Sequence, residues 1–253
     1  MDDNRRIDSA RTVSTSINTR LLLIILVSIV VILGLAHVLD RSVAHQILEP
    51  RSLVVQSWLD FFDLNSEASI GSWFSSGLWL VASVLAFAKG QQVRRQKGSA
   101  WHWTGLAAVF LLLSLDEAAM LHERIGNILE EQLTLGGALH WSWVLYGMAL
   151  VLVVALVFGK FLLTLPRRSL WTFVVAGGLF CAGALGLEMY AANAVSSEDG
   201  FLPGFGWSAS VLVEESLEML GVIVAIGELL RLLRLGAAAW EPAPMLAGQP
   251  AAS

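Results

Sequence analysis

The chain has 253 residues, of which 56% are hydrophobic and 15% are charged, and its formal net charge at pH 7 is −5. Its apolar residues come in long blocks rather than at amphipathic spacing, which is typical of a polytopic membrane protein. Such blocks leave little chain for a soluble domain. The one cysteine, Cys181, excludes a disulfide within a single chain.

The sequence predicts an all-α protein with six transmembrane helices in a domain over residues 21–235. Each apolar block is long enough to cross about 30 Å of hydrocarbon as a helix, and the blocks lie near 21–39, 71–88, 103–121, 143–164, 170–190 and 211–233. Residues 1–20 are expected to be a solvated tail and not a cleaved signal peptide, because the apolar stretch continues past its small-residue site. An amphipathic helix on the outer surface is predicted at about 52–64, and residues 236–253 are expected to be disordered.

Basic residues predict the orientation of these spans. Six alternating spans place 13 of the 16 Lys and Arg residues on the side of the two termini. By the positive-inside rule, both termini are then cytoplasmic in a multi-pass protein of the inner membrane. The same topology places 16 of the 21 acidic residues on the outer side or in the outer ends of spans.

Acidic motifs fall at the outer ends of three predicted spans: SLDEAAMLHE in the third, LGLEMY in the fifth and VEESLEML in the sixth. Because these ends share one leaflet, the motifs are expected to meet in one layer. The predicted metal-binding residues are Asp116, Glu117, His122, Glu123, Glu188, Glu214, Glu215 and Glu218. The residues expected to support them from further out are Glu67, His37, Asp40 and His140.

Helical geometry adds two expectations about this layer. A continuous third helix at about 100° per residue would place Asp116, Glu123 and Asn127 on one face, with Glu130 in an exposed extension. Small residues below the carboxylates, such as Gly221 and Ala184, would let the helices approach closely.

The cost of these acids is the reason to expect a bound cation. A charged residue at the bilayer centre costs roughly 2.5–3.5 kcal/mol on translocon scales, so several unpaired acids would rival a total folding stability of about 5–15 kcal/mol. Bound cations, shared protons or a water-filled cavity would offset that cost. The alternative is that these are interfacial acids at frayed helix ends, which suits Glu214 and Glu215 but fits Asp116, Glu188 and Glu218 poorly.

Several classes of enzyme are excluded because the sequence lacks their motifs. The chain has no paired-histidine zinc motif, no Gly-x-Ser-x-Gly elbow and no P-loop. We therefore expect a divalent metal ion as cofactor and a metal-dependent hydrolase acting on a lipid-like small molecule, although no catalytic residue is identified. A proton- or cation-coupled transporter is the alternative, but no proline interrupts any span to indicate broken helices. A structural or partner-binding membrane protein is the third possibility.

The expected partners are the lipid bilayer and the lipid-like molecule, and no nucleic acid. The stretches FFDLNSEASIGSWFSS, SLDEAAMLHE and EESLEMLG resemble motifs of a family of uncharacterised polytopic bacterial membrane proteins. The resemblance covers most of residues 58–232. It implies that these residues occupy motif positions of the family: Glu67, Asp116, Glu117, His122, Glu123, Glu215 and Glu218.

Overall fold

The computed structural model describes residues 18–40, 53–196 and 204–236, without the side chains of 54–56, 58, 204 and 205. All regular structure in these ranges is helical, as predicted. The helices are α1 (Thr19–Leu39), α2 (Leu53–Phe62), α3 (Ile70–Arg95), α4 (Trp101–Ala119), α5 (Leu121–Glu130), α6 (Trp143–Thr164), α7 (Arg167–Cys181), α8 (Glu188–Ser196) and α9 (Gly204–Arg234). A short 3-10 turn precedes α6, and a π-helical turn, Ala182–Leu187, joins α7 to α8. Most of both predicted tails lies outside the described residues.

Four helical segments are long and apolar enough to cross a membrane: α1, α3, α6 and the continuous segment Arg167–Ser196. The bent pair of α4 and α5 makes a fifth if it counts as one span. Helix α9 has 31 residues, but its charged side chains keep it out of this apolar class. The chain is therefore a helical membrane protein, while the count of six spans and the orientation stay predictions.

Helix α9 lies at the centre of the bundle, against α1, α3 and α7. Its residues Met219, Ile226 and Leu229 are completely buried. At Gly221 the backbones touch, because an added Cβ would lie 2.7 Å from the Ala176 carbonyl oxygen and 2.9 Å from the Phe180 nitrogen. The expected close approach at Gly221 is thus present, and it fixes the acidic segment of α9 against α7.

Helices α3 and α4 are joined by reciprocal serine hydrogen bonds. The Ser76 hydroxyl donates to the Ser114 carbonyl, the Ser114 hydroxyl donates to the Ser76 carbonyl, and both distances are 2.9 Å. Further down the pair, the Ser83 hydroxyl donates to the Ala107 carbonyl at 2.7 Å. These bonds hold the two helices in register just below the acidic motif at the end of α4.

The prediction of one continuous third helix is wrong. The chain turns by 73° between α4 and α5, at Met120, whose φ of 53° and ψ of 46° are left-handed. The Arg124 side chain donates from Nε to the Ala119 carbonyl at 3.0 Å, which satisfies a backbone acceptor freed by the break. Asp116, Glu123 and Asn127 therefore do not share one face of one helix.

The segment that carries Glu188 is also irregular. The π turn at Ala182–Leu187 interrupts the α-helical bonding of the fifth predicted span, immediately before Glu188. Gly183 in this turn packs against α9, since an added Cβ would lie 2.7 Å from the Glu214 carbonyl oxygen and 2.8 Å from Glu218 Cγ. The sequence has no proline to indicate a broken span, yet the chain breaks at Met120. At the π turn the bonding pattern changes but the helix stays continuous.

Candidate metal centre

One cavity of about 500 Å³ lies among α4, α5, α6, α8 and α9. All eight residues predicted to bind metal line it, as does Glu67. No lysine or arginine is found among the lining residues in the described part of the chain. The carboxyl side chains in the lining are those of Glu67, Asp116, Glu117, Glu123, Glu130, Glu188, Glu214, Glu215 and Glu218.

His122 is oriented by a carboxylate. Its Nδ1 lies 3.1 Å from Asp116 Oδ2, and both side chains are 17% exposed. Because an ionised carboxylate can only accept a hydrogen bond, Nδ1 carries a proton, and in the neutral ring Nε2 then presents a lone pair. Carboxylates orient metal-binding histidines in this way, and they fix the tautomer that can coordinate an ion.

Glu67 approaches the second ring nitrogen of this histidine. Its Oε1 lies 3.8 Å from His122 Nε2. Burial raises the pKa of the Glu67 carboxyl above its usual range, and the neighbouring carboxylates Glu123, Asp116 and Glu188 raise it further, against an opposing attraction from His122. A carboxylate in such a place gains from any cation that shares it.

Glu67, His122 and Glu123 form a group with the spacing of metal ligands. One ligand atom from each lies within 4.8 Å of the other two. Two ligands on opposite sides of an ion with bonds of about 2.1 Å are about 4.2 Å apart, so small side-chain rotations close the group around an ion. In addition, Asp116 Oδ1 is buried and has no hydrogen-bond partner among the described residues.

The acids of α8 and α9 form the deeper wall of the cavity. The Trp143 indole donates from Nε1 to Glu188 Oε1 at 2.9 Å, and the carboxyl groups of Glu188 and Glu214 lie within hydrogen-bonding reach of each other. Glu215 and Glu218 lie close enough to repel each other and Glu117. Proximity of this kind favours shared protons or shared cations over separate charges.

Aromatic side chains line another part of the cavity. Trp141 packs edge-on against Trp207, with ring centroids 5.9 Å apart, and Trp79 packs edge-on against Phe180 at 5.0 Å. The Trp143 ring lies 5.1 Å from the His122 ring. The tryptophans at 79, 141, 143 and 207 are therefore walls of the acidic cavity.

The structure separates the expected supporting residues. Glu67 belongs to the group that could hold a metal ion, whereas His37, Asp40 and His140 are not among the lining residues. His37 is buried elsewhere, against the loop before α3 and against α9. Glu130 is exposed at the end of α5, as expected, and it also lines the cavity, because the break at Met120 turns α5 toward α6.

Comparison with known proteins adds a family but no activity. No curated protein and no solved structure matches the chain significantly. A family model described as a domain of unknown function (DUF8692) matches residues 23–232, which include every residue of the cavity. The chain therefore belongs to the DUF8692 family.

Proposed function

We propose that this membrane protein binds a divalent metal ion through Glu67, His122 and Glu123. The observation that carries the proposal is the His122 ring, held by Asp116 on one side and facing two carboxylates on the other. One imidazole with two carboxylates suits Mn²⁺, Fe²⁺ or Zn²⁺ better than Ca²⁺, which prefers oxygen ligands alone. Three protein ligands leave coordination positions open for water or a substrate.

The charge of the cavity supports a cation in a second way. Nine carboxyl groups line a space with no lysine or arginine among its described lining residues. His122 supplies at most one positive charge, so protons and cations must supply the rest. The six carboxyl groups outside the proposed ligand set and Asp116 are Glu117, Glu130, Glu188, Glu214, Glu215 and Glu218. They would draw cations into the cavity and keep anionic ligands out.

Thermal unfolding in detergent tests the site directly. Adding Mn²⁺ or Zn²⁺ to the chelated protein should stabilise it by about 2.7 kcal/mol at 100 times the dissociation constant. Glu123→Gln should remove most of that response. Glu131→Gln is the matched control, because Glu131 follows α5, is exposed and does not line the cavity. Equal responses from the two variants would reject the ligand assignment.

We further propose that the metal supports hydrolysis of a lipid-like molecule. A cavity of about 500 Å³ falls within the range of about 300–1,000 Å³ typical of small-molecule sites, and aromatic walls suit an apolar body. A bound metal would supply an activated water, and Glu67, His122 and Glu123 would hold that metal. Cleavage of a long-chain p-nitrophenyl ester by the Mn²⁺-loaded protein, absent in His122→Ala, is the expected result. An activity that chelation and His122→Ala both leave unchanged would count against it.

A cation-coupled transporter is the second candidate, and the interrupted helices favour it. The break at Met120 and the π turn before Glu188 both border the cavity, and discontinuous helices at a binding site are common in transporters. Against this, the residues of α9 that follow Glu218 are closely packed, with Met219, Val222 and Ile226 buried. Proteoliposomes should therefore show no metal or proton flux under an imposed gradient. Flux that is lost in Glu218→Gln would favour the transporter.

The orientation in the inner membrane is likewise a proposal, supported by the distribution of basic residues. Cysteines introduced at Gly98 and at Gly200 in a Cys181→Ala background should differ in their reaction with an impermeant thiol reagent. In intact spheroplasts only the cysteine at position 200 should react. The reverse pattern would place the acidic cavity on the cytoplasmic side.

A further inference from the structure

His37 joins three segments of the chain and lies outside the cavity. It is 1% exposed, in the last turn of α1. Its Nδ1 accepts a hydrogen bond from the Leu64 backbone nitrogen at 3.2 Å and lies 3.2 Å from Asp63 Oδ1. Its Nε2 lies 2.9 Å from the Ser208 hydroxyl and 3.3 Å from the Ser208 carbonyl oxygen, both in α9.

The order Ser208, His37, Asp63 matches a serine-hydrolase triad, but the hydrogen bonds point to another role. Since the Leu64 N–H donates to Nδ1, the neutral ring carries its proton on Nε2 and donates to Ser208. A nucleophilic serine needs the opposite tautomer, in which Nε2 accepts its proton. Ser208 is also buried and does not line the cavity. The arrangement is therefore a set of hydrogen bonds, here called the His37 clasp, that joins α1, α9 and the loop that follows α2.

This loop carries Glu67 into the metal centre. On its near side, Leu64 is tied to His37, and the Asn65 nitrogen donates to Asp63 Oδ1 at 3.0 Å. On its far side, the Ser72 hydroxyl donates to the Glu67 carbonyl at 2.6 Å, within a capping box that begins α3. The Glu67 side chain is therefore placed by backbone contacts at both ends of a short loop.

We infer that His37 is a positioning residue for the metal centre, acting through the 63–67 loop on Glu67. The inference rests on the proposed function, because it takes Glu67 as a ligand. Its physical basis is that a ligand on a loop loses less conformational entropy on binding the metal when the loop backbone is already fixed. Losing the clasp should leave His122 and Glu123 in place and weaken the contribution of Glu67 alone.

The test compares two buried serines. Ser208→Ala removes a hydroxyl that contacts His37, near the start of α9. Ser169→Ala removes a buried hydroxyl that accepts from Arg231 Nη2, near the end of α9. Because Ser169→Ala also removes a hydrogen bond to Glu228, it should cost at least as much thermal stability as Ser208→Ala. The Mn²⁺ affinity is measured by titration, with the concentration of free Mn²⁺ followed by electron paramagnetic resonance. Ser208→Ala and His37→Gln should weaken Mn²⁺ binding, by about tenfold for His37→Gln, while Ser169→Ala should leave the affinity unchanged.

A double-mutant cycle distinguishes a positioning role of His37 from a general loosening of the fold. In a Glu67→Gln background, His37→Gln should have almost no further effect on Mn²⁺ affinity, because the ligand it positions has gone. An equal loss in both backgrounds would overturn the inference, as would unchanged affinity in both His37→Gln and Ser208→Ala. If the parent protein binds no Mn²⁺, the proposed metal site itself is wrong. If the parent binds Mn²⁺ and neither variant weakens that binding, only the role of His37 is wrong, so the two failures can be told apart.

Discussion

The close contact between Gly183 and α9 gives a prediction whose magnitude follows from the geometry. Gly183→Ala would place a Cβ 2.7 Å from the backbone oxygen of Glu214 and 2.8 Å from Glu218 Cγ. Both distances are shorter than van der Waals contact, and a backbone oxygen in the central helix cannot rotate away. Overpacking of this kind costs about 1–3 kcal/mol, and it should also displace the Glu218 side chain.

Gly177→Ala is the matched control. Gly177 lies six residues earlier, in α7, and a Cβ added there meets no atom of the described chain within 4 Å. Both substitutions share the gain in helix propensity from Gly to Ala, which is up to about 1 kcal/mol. The difference between the two variants therefore isolates the clash.

The measurement is the free energy of unfolding in mixed micelles, followed by tryptophan fluorescence, with metal removed by a chelator. Gly183→Ala should be less stable than Gly177→Ala by about 1–3 kcal/mol. If the two variants have the same stability, the π turn does not touch α9 as described, and the arrangement of Glu188, Glu214 and Glu218 around it is wrong.

Three further predictions concern single side chains. Trp143→Phe should destabilise the protein by about 1–3 kcal/mol, measured by unfolding, because it removes the indole donor from Glu188; no loss would mean that the bond does not form. Lys89→Met should lower the thermal midpoint without changing Mn²⁺ affinity, since the buried Lys89 amine donates to the Leu232 carbonyl, in the α9 segment beyond the acids. Glu67→Gln should stabilise the chelated protein, and the gain should grow as pH rises. Because the pKa of Glu67 is raised in the folded state, ionisation of its carboxyl destabilises the fold. That destabilisation is absent below about pH 4.3, where the carboxyl is protonated in both the folded and the unfolded states, and it is complete above the folded-state pKa. Thermal midpoints of parent and variant that stay parallel from pH 4 to pH 8 would contradict that sign.

Much of the helical layout follows from hydropathy. The fourth predicted span, 143–164, coincides with α6, and α2 (Leu53–Phe62) is a helix in the range of about 52–64 predicted for the surface helix. The position of α2 on the outer surface stays a prediction. Long apolar blocks need no partner to be recognised, because the bilayer supplies their environment. The acids of the third, fifth and sixth blocks could be grouped for a similar reason: a charge inside an apolar block is costly wherever it faces lipid.

The details of the site could not be read from spacing alone. Glu67 belongs to a loop, and no helical period connects it with His122. The sequence also gives no proline or glycine at the break, where Ala119, Met120 and Leu121 continue an ordinary helical pattern. By contrast, the glycines at 183 and 186 are a sequence signal for an irregular helix at the π turn. The effect of this turn on Glu188 depends on how α9 packs against it.

The break at Met120 creates the contact on which the proposed metal centre depends. On a straight helix, Asp116 and His122 would be separated by about 9 Å along the axis and would point about 120° apart, so their side chains could not meet. The 73° turn brings His122 Nδ1 to 3.1 Å from Asp116 Oδ2. A left-handed residue other than glycine costs on the order of 1 kcal/mol, which a stable Asp–His pair can offset.

Met120→Val and Met120→Leu test this dependence with two apolar side chains that differ in branching at Cβ. Leucine tolerates the left-handed backbone about as well as methionine, whereas a β-branched residue there is strongly disfavoured. Met120→Val should therefore lower the unfolding free energy by on the order of 1 kcal/mol relative to Met120→Leu, and it should weaken Mn²⁺ binding because the His122 ring loses its carboxylate partner. If Met120→Val matches Met120→Leu in both stability and Mn²⁺ affinity, the chain does not turn at Met120, and Asp116 does not orient His122.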